Sequence, residues 1–324
     1  MSGTPPPPLD GVVVVDLSQI YNGPYATLLL ALAGATVIKV EAPAGDNLRG
    51  RTTAKGSGAP FVILNSNKLG VRLNLKDARG RELLLELACR ADALVENFRP
   101  GVMDRLGVGR DVLRGVNERL IYAAGSGFGQ TGPYRDYPAM DLTVQAISGV
   151  MSVTGFPDAP PVKAGPALSD FFGGIHLYGA IMTALFDRER TGRVRDVDVS
   201  MLESTYPSLM SPLGLYYGGA TRVHRTGNRH SGLAEAPYNT YPTSDGHIAL
   251  ICVTEEHWRR LTEEMGRPEL ADDPRYSTRR ARVEHMDEVD AIVEEWTRGQ
   301  CKEDVFQRLL ARGVAAAPVR GVAE

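Results

Sequence analysis

The chain has 324 residues, of which 43% are hydrophobic and 23% are charged, and its formal net charge is −3. A chain of this length can form two domains, and a domain of that size buries roughly 75% of the surface that its unfolded chain exposes. We therefore expect a stable core without disulfides. Nucleic-acid phosphates require a basic surface, so the slightly acidic balance argues against nucleic acid as the main partner.

Neither a metal site nor a membrane segment is predicted. The cysteines, Cys89, Cys252 and Cys301, lie far apart and form no Cys-x-x-Cys pair, which argues against a disulfide framework or a zinc site. We expect Cys89 to be a small buried residue of a helix. The N-terminus lacks the pattern of a signal peptide, and the longest apolar stretch, residues 25–33, is too short to cross a membrane. We predict a cytoplasmic protein without a metal or a membrane partner.

In chain order, the first half alternates predicted strands with predicted helices. An apolar run at 12–15 suits a strand buried on both faces. Further strands are predicted at 36–40, 93–95 and 120–123, and helices at 26–33 and 80–90. Such alternation implies a parallel sheet with right-handed crossovers. The predicted fold class is α/β, with a Rossmann-like parallel sheet in the large domain.

A Rossmann-like sheet raises the alternative of a dinucleotide-dependent dehydrogenase, with Glu41 after the second strand as the acid that binds the ribose. The turn after the first strand, residues 16–24, reads DLSQIYNGP and contains no G-x-G-x-x-G motif. Without those glycines the backbone cannot approach a pyrophosphate in the usual way. NAD binding is therefore disfavoured.

The second half is predicted to contain a helical region followed by a smaller domain. Residues 175–190 are apolar on most faces, and Gly192 suits the left-handed conformation that ends a helix. Residues 201–217 are also predicted to be helical, with kinks at Pro207 and Pro212. We predict a large domain over 1–220, a basic and polar linker over 221–235, and a smaller α/β domain over 236–324 with a strand at 248–253 and helices at 255–265, 286–298 and 302–312.

Asp170 is a lone carboxylate between a proline-rich turn and the long apolar helix. Two interpretations stay open on these residues alone. Asp170 can be the N-cap of that helix, where its oxygens would accept the free N–H groups of the first turn. It can also be an ionised nucleophile, held ready by the same N–H groups and by the helix dipole.

Seven short motifs occur in a fixed order along the chain. They are Asp16-Leu17-Ser18 with Gly23-Pro24, Gly34 to Glu41, Gly45-Asp46 with Arg49, Val95 to Gly101, Gly125 to Gly129 with Thr131 to Tyr134, the Asp170 segment, and Val197 to Glu203. With these motifs the chain resembles the class III CoA-transferase family, the group of formyl-CoA transferase, carnitine CoA-transferase and α-methylacyl-CoA racemase. The resemblance covers nearly the whole chain.

The resemblance implies that coenzyme A, as an acyl-CoA thioester, is the substrate and that Asp170 is the nucleophile. A carboxylate that attacks a thioester expels the CoA thiolate and leaves a mixed aspartyl anhydride. The thiolate can then form an enzyme thioester, the donor leaves as an acid, and an incoming carboxylic acid reverses the sequence. The partners implied are an acyl-CoA donor and a carboxylic acid acceptor.

Residues that would bind CoA are also carried over from the family. CoA requires cationic side chains for its phosphates and an apolar slot for its base. Ala42 stands where some members place an arginine, so Arg49 or Arg99 would take over the adenine end. The candidate CoA-binding residues are Tyr21, Arg49, Leu73, Lys76, Asn97, Phe98, Arg99 and Arg105. Candidates for stabilising the oxyanion are the run Gly125 to Gly129 and the turn around Tyr21 and Asn22.

A racemase of the same family is one alternative to a transferase, and a CoA-binding protein without catalysis is another. Racemisation requires two acid–base groups, and the resembling racemases place a histidine where this chain has Met140. A thioether cannot carry a proton at neutral pH, so the racemase is disfavoured. His176 is expected to be a core or polar-packed residue rather than to replace that base.

The family's members are dimers whose chains interlink like rings, and this resemblance implies a homodimer here. A family segment that returns to the large domain would begin after Ala317-Pro318-Val319, where this sequence stops, so we expect that segment to be absent. The substrate pair is not readable. A small or medium dicarboxylate is weakly favoured, since Arg222, Arg225 and Arg229 could bind its second carboxylate.

Overall fold

A computed structural model describes residues 5–50, 58–220 and 223–324. The described residues of Met1–Gly149 with Lys163–Ser208 form one compact unit, and those of Val150–Val162 with Leu209–Glu324 form a second. The predicted boundaries at 220 and 236 stay a prediction. Residues 221–222 of the predicted linker, with Arg222, lie outside the described residues.

Helices and strands are numbered along the whole chain. In the first unit the described elements are β1 (Val13–Asp16), α1 (Asn22–Leu32), β2 (Thr36–Glu41), α2 (Ala59–Asn65), β3 (Lys68–Arg72), α3 (Ala78–Cys89), β4 (Ala93–Glu96), α4 (Val102–Arg105), α5 (Arg110–Val116), β5 (Ile121–Ser126), α6 (Asp141–Ile147), α8 (Leu168–Thr191), β6 (Val197–Ser200) and α9 (Met201–Thr205). In the second they are α7 (Val150–Val153), α10 (Met210–Tyr217), β7 (Tyr238–Thr243), β8 (Gly246–Ile251), α11 (Glu255–Glu264), α12 (Arg279–Glu284), α13 (Met286–Thr297), α14 (Lys302–Ala311) and β9 (Ala315–Pro318).

The first unit is built on a parallel sheet, as predicted. Within the described residues its strands lie in the order β3-β2-β1-β4-β5-β6, and every neighbouring pair is parallel. Val14 pairs with Val37 on one side and with Ala93 on the other, so β1 and β4 are the central strands from which the chain winds in opposite directions. In such sheets ligands bind at the carboxyl ends of the strands, where the order reverses.

Helices cover both faces of this sheet. On one face α1 and α8 pack on the strands through Leu30, Leu177 and Ile181, and on the other α3 and α5 contribute Leu84 and Leu113. A Cβ placed on Gly173 would lie 2.1 Å from Asn22 Nδ2, and one on Gly174 would lie 2.6 Å from the Asn22 carbonyl. The start of α8 can therefore approach α1 this closely because both residues are glycines.

The far end of α8 is also held to the sheet. Arg188 is 4% exposed, and its guanidinium donates to the carbonyl of Arg119 at 3.0 Å and to Asp92 Oδ1 at 2.7 Å. Asp92 and Arg119 precede β4 and β5, so this end of the helix is fixed at the amino ends of the strands. Gly192 ends the helix with φ +73°, which confirms its predicted left-handed conformation.

The second unit contains an antiparallel sheet of β7, β8 and β9 with helices around a core of Trp258, Val289 and Leu309. The turn predicted at Asp245-Gly246 joins β7 and β8. The predicted helices at 255–265, 286–298 and 302–312 are confirmed to within a residue or so at each end.

The arginines expected to bind a second carboxylate have partners inside the second unit. Arg225 donates to the carbonyls of Phe156 at 3.1 Å and Ala159 at 2.5 Å. Arg229 donates to Asp290 at 2.7 Å and to Asp287 at 2.6 Å. Each side chain thus makes contacts within its own unit, and the binding of a second carboxylate by them stays a prediction.

Two further predictions need correction. Cys89 is exposed rather than buried, because it lies at the last residue of α3 on the side away from the buried Leu84 and Ala88. The segment 201–217 is not one kinked helix. It is divided into α9, a 3-10 turn over Tyr206–Leu209 that contains Pro207, and α10. Among the described helices, none is long and apolar enough to cross a membrane.

Candidate active site

Two cavities of the first unit lie at the carboxyl ends of its strands. The first, the strand-end groove, has a volume of about 430 Å³ and is lined by residues that follow β1, β2, β3 and β4. The second, the glycine cavity, has about 410 Å³ and is lined by residues that follow β1, β4, β5 and β6, among them Asn22 and the run Gly125 to Phe128. Gln19 and Phe98 line both cavities, so the two are neighbours.

The main chain between the two cavities is held by Asn97. Its Oδ1 accepts from the N–H of Gln19 at 2.8 Å, and its Nδ2 donates to the carbonyl of Gln19 at 2.7 Å. The next residue, Ile20, has φ +68°, a left-handed conformation that is costly for a β-branched side chain. Asn97 thus fixes a strained turn at the boundary of the two cavities.

A buried cluster of charges lies under the strand-end groove. Asp16, fully buried at the end of β1, accepts from Thr27 Oγ1 at 2.6 Å and from Lys68 Nζ at 3.1 Å. Lys39 Nζ lies 3.9 Å from Asp16 Oδ2 and donates to the carbonyl of Ser18. Burial acts to raise the pKa of Asp16, but Lys39, Lys68 and the hydroxyl donors outweigh it and hold that pKa well below the usual range.

Glu96, at the end of β4, is a buried acid without such countercharge. Its oxygens accept from the N–H of Phe98 at 2.7 Å and from the Tyr122 hydroxyl at 3.0 Å, and the side chain is 3% exposed. Burial is the main cause that raises the pKa of Glu96 to about 7, with a smaller contribution from Asp198. Within the described residues Glu96 makes no ion pair. It supports the turn that carries Phe98 into both cavities.

Asp170 lies in the first turn of α8, three residues after the N-cap Ala167. The interpretation of Asp170 as the N-cap is therefore wrong, and Ala167 makes no side-chain cap of its own. The side chain of Asp170 is 9% exposed, and its carbonyl accepts from Asn22 Nδ2 at 3.4 Å. Because Asn22 lines the glycine cavity, this contact places the turn that carries Asp170 beside that cavity.

The capping expected of Asp170 is provided from α6 instead. Asp141 Oδ1 accepts from the N–H of Ser169 at 2.9 Å and of Asp170 at 3.3 Å. Its Oδ2 accepts from Gln145 Nε2 at 2.7 Å. Sequence reasoning missed both residues. An Asp and a Gln four residues apart on a helix are a known hydrogen-bonding pair, and this spacing could have indicated their mutual contact.

Five of the eight predicted CoA-binding residues line a cavity, and Tyr21, Arg49 and Arg105 do not. Leu73, Lys76 and Phe98 line the strand-end groove, and Asn97, Phe98 and Arg99 line the glycine cavity. Tyr21 packs on Phe171, whose ring centroid is 5.9 Å away, next to Asp170.

Arg49 and Arg105 also lie outside the residues that line the two cavities. Arg49 makes a two-point ion pair with Glu41, at 2.6 and 2.7 Å, and lies 3.7 Å from the ring centre of Phe61. Glu41, the residue weighed as a ribose-binding acid, is thus an arginine partner. Arg105, at the last residue of α4, is exposed and lies outside both sets of lining residues.

The groups that a racemase would need are placed unfavourably. Met140 lines the glycine cavity, and His176 is not among the residues that line it. His176 is exposed rather than in the core, and its Nδ1 bonds the carbonyl of Phe172 on its own helix at 2.8 Å. Across residues 5–50, 58–220 and 223–324, no group of His, Cys, Asp or Glu is arranged to hold a metal ion.

Comparisons with known proteins agree with this fold. Residues 9–324 match the family described as CoA-transferase family III. The chain is 40% identical to the acetyl-CoA:oxalate CoA-transferase of Acetobacter aceti, over 99% of this chain and 82% of that protein. It is 36% identical to the succinate–glutarate CoA-transferase of Agrobacterium fabrum, over 98% of this chain and 81% of that protein. A CAIB/BAIF family protein from Brucella suis has a similar crystal structure, with a TM-score of 0.87 at 35% identity over 98% of this chain and 85% of that one.

A doubly wound sheet with cavities at the carboxyl ends of its strands is typical of an α/β protein with a strand-end ligand site. The chain belongs to CoA-transferase family III, which confirms the resemblance found in its motifs. It is a class III CoA-transferase and transfers CoA between acyl-CoA thioesters and carboxylic acids.

Proposed function

We propose that the transfer proceeds through covalent intermediates on Asp170. An oxygen of Asp170 attacks the thioester carbonyl, and the C–S bond breaks. The CoA thiolate is released, and the acyl group remains on Asp170 as a mixed anhydride. The thiolate attacks the aspartyl carbonyl, which releases the donor carboxylate and forms an enzyme thioester. The acceptor carboxylate then attacks this thioester, and the same two steps in reverse yield the new acyl-CoA.

The observation that carries this proposal is the placement of Asp170 at a helix N-terminus beside the glycine cavity. The side chain is almost buried, and the helix dipole favours its negative charge. A second acid, Asp141, occupies the N–H groups of this turn, so the Asp170 carboxylate is not needed as the cap.

For CoA we propose the strand-end groove. Leu73 and Phe98 offer apolar walls to the base, and Lys76, at the exposed rim, offers an ammonium to phosphate. Tyr21, Asn97, Arg99 and Arg105 remain candidate CoA contacts. For Arg49 the ion pair with Glu41 leaves fewer donors for a phosphate, so we expect a smaller share of the binding from it.

For the oxyanion we propose the glycine cavity, where Asn22 and the N–H groups of Gly125 to Gly127 lie together. A Cβ on Gly125 would lie 2.6 Å from Asn22 Oδ1, so the glycine is what lets the amide and this loop come close. We propose a small dicarboxylate as one of the acids, since the relatives named above act on oxalate and on succinate and glutarate by their names. Arg135 lines the cavity and lies 3.4 Å from Asp136 Oδ1, and it is the cation that we propose for this acid.

Asp170→Ala tests the nucleophile. We expect transfer to be abolished while the affinity for free CoA is retained. Acetyl-, succinyl- and oxalyl-CoA are each incubated with oxalate, glutarate and other acids, and new thioesters are identified by mass. Hydroxylamine trapping during turnover should label the peptide that contains Asp170. Activity within roughly tenfold of wild type, a barrier change of only about 1.4 kcal/mol, would sink the assignment.

The racemase alternative has its own test. Met140 cannot carry a proton, so a 2-methylacyl-CoA incubated in D₂O should acquire no deuterium at its α-carbon. Exchange at an enzymatic rate would show a second base. A CoA-binding protein without catalysis would bind CoA and form no new thioester in any of the mixtures.

We also propose an interlinked homodimer with two-fold symmetry, in which the segment 191–230 crosses to the partner. Met210, Tyr216 and Tyr217 are 64%, 62% and 75% exposed, and apolar surface of this kind commonly marks an interface. Light scattering at micromolar concentration should give twice the 35.1 kDa of one chain. An active sample with the mass of a single chain would refute the dimer.

A further inference from the structure

Gln145 is a fully buried polar side chain of α6 whose amide atoms contact two different parts of the first unit. Its Nε2 donates to Asp141 Oδ2 at 2.7 Å, and its Oε1 accepts from the N–H of Ala164 at 2.9 Å. A longer contact of 3.4 Å runs from Nε2 to the carbonyl of Pro166. A backbone N–H can only donate, so Oε1 must face Ala164 and the orientation of the amide is fixed.

Asp141 transmits this contact to α8. Gln145 takes its Oδ2, and therefore Oδ1 is turned toward the N–H groups of Ser169 and Asp170, at 2.9 and 3.3 Å. The orientation of the Asp141 carboxylate is thus fixed by the hydrogen bond from Gln145. In this orientation the carboxylate accepts from the N–H groups in the first turn of α8.

The contacts of Gln145 enclose the segment that leads into α8. One end of the segment is held directly, at Ala164 and Pro166, and the other indirectly, at Ser169 and Asp170 through Asp141. Between them the N-cap Ala167 makes no side-chain cap, and a Cβ on Gly165 would meet no neighbouring atom. The entry into α8 is consequently held from α6 at four backbone positions, Ala164, Pro166, Ser169 and Asp170.

We propose that Gln145 is a positioning residue for Asp170, acting through the Asp141 carboxylate and the Ala164–Pro166 backbone. It is not itself a catalytic residue. The inference rests on the proposed role of Asp170 as nucleophile and extends it to the group that aims this nucleophile.

Gln145→Glu tests the inference with almost no change of shape, because it replaces the donor that faces Asp141 with an oxygen. Misplacement of a reacting group by about 1 Å can cost about 10²-fold, so we expect kcat to fall about 10- to 100-fold. KM for the acyl-CoA and Kd for free CoA should stay within about twofold, since the strand-end groove is untouched. Gln307→Glu is the matched control. Gln307 donates to Glu303 four residues away, at 3.0 Å, on the exposed face of α14, and its substitution should leave kcat unchanged.

A double substitution separates positioning from loss of packing. In Asp141→Asn alone the new amide nitrogen would meet the Gln145 Nε2, donor against donor. In Asp141→Asn with Gln145→Glu the direction of that hydrogen bond is reversed, while Ser169, Asp170 and Ala164 keep acceptors for their N–H groups. We expect the kcat of the double variant to exceed that of each single variant by at least about fivefold, a coupling that independent sites do not show.

Several outcomes overturn the positioning role. A Gln145→Glu enzyme with kcat within twofold of wild type would do so, and so would a double variant no faster than the better single one. If Gln145→Glu does not fold, as judged by circular dichroism, the double variant against Asp141→Asn decides alone. Hydroxylamine labelling of the Asp170 peptide in wild type is measured in parallel. If the Asp170 peptide is labelled in wild type but Gln145→Glu leaves kcat unchanged, only the positioning role of Gln145 is rejected. If a different peptide is labelled in wild type, the assignment of Asp170 as nucleophile is rejected.

Discussion

Asp16 and Glu96 end two neighbouring central strands of the same sheet, and their pKa values are shifted in opposite directions. Asp16 pairs with Val95, the residue before Glu96, and both carboxylates are nearly inaccessible to solvent. Asp16 has Lys39 and Lys68 beside it, and its pKa is lowered. Glu96 has uncharged donors, and its pKa is raised to about 7 by burial. Burial alone therefore does not decide the charge of a strand-end acid, and the countercharge does.

Because of this difference, Asp16 stays charged at neutral pH, whereas Glu96 titrates near pH 7. Asp16 and its lysines hold the turn at Ser18 under the strand-end groove. Glu96 holds Phe98, which lines both cavities, through a bond whose acceptor changes charge near pH 7. Substitutions at the two acids can test this contrast directly.

The largest effect is expected from Lys68→Met. It removes the ammonium 3.1 Å from Asp16 Oδ2 and leaves a buried carboxylate with less compensation. Breaking a buried ion pair from one side costs about 3–5 kcal/mol, which we expect as the loss in free energy of unfolding in urea at pH 7. The exposed Lys76→Met is the control and should change stability by less than about 0.5 kcal/mol. A loss below about 1 kcal/mol for Lys68→Met would show that Asp16 needs no countercharge there.

Glu96→Gln should change the dependence of stability on pH. The folded pKa of about 7 lies above the ordinary 4.5, so the folded protein binds the extra proton, and wild type loses stability as pH rises through this window. The loss amounts to about 3 kcal/mol at most. Glutamine cannot ionise, so the variant should match wild type near pH 4.5 and be more stable by up to about 3 kcal/mol at pH 8. Urea unfolding between pH 4.5 and 8 measures this difference, and parallel curves for the two proteins would contradict the raised pKa.

A matched pair of hydroxyl deletions gives the smallest effects. Thr27→Val removes a 2.6 Å donor from Asp16, and Tyr122→Phe removes a 3.0 Å donor from Glu96. Hydrogen bonds to charged groups are worth about 1.5–3 kcal/mol, and neutral ones about 1 kcal/mol. Thr27→Val should therefore cost about 2 kcal/mol at both pH 5 and pH 8, whereas Tyr122→Phe should cost more at pH 8 than at pH 5. Equal pH responses in the two variants would remove the distinction between the acids.

The sheet could be predicted because its central strands are continuous apolar runs, as at 12–15 and 93–95. Strand β3 was not predicted, since Lys68–Arg72 at the sheet edge has only two apolar residues, Leu69 and Val71, separated by a glycine. Strand β9 was not predicted because Ala315–Pro318 has little β-propensity. Both depend on pairing with strands that are distant in sequence.

For the site, the sequence motifs pointed to Asp170. The structure shows in addition that Asp141 accepts a hydrogen bond from the backbone of Asp170, a contact that the motifs did not indicate. Asp141 accepts from the N–H of Ser169, 28 residues later. Local reasoning gave capping by Asp170 as one of two interpretations, because spacing relates only residues that are close in sequence. Asn97 was assigned to CoA by resemblance, and its amide atoms are used on the Gln19 backbone. Contacts of this range follow from the topology and not from the sequence pattern around either residue.

The anchor at Arg188 has a consequence for the aim of Asp170. The two residues share α8, and at about 1.5 Å of rise per residue they are about 27 Å apart along its axis. A rod fixed at one end acts as a lever, and a tilt of about two degrees about Arg188 would displace the other end by about 1 Å, enough to cost about 10²-fold in rate. The position of the proposed nucleophile therefore depends on the tilt angle of α8. That angle is set as much by Arg188 at the amino edge of the sheet as by the residues around the cavity.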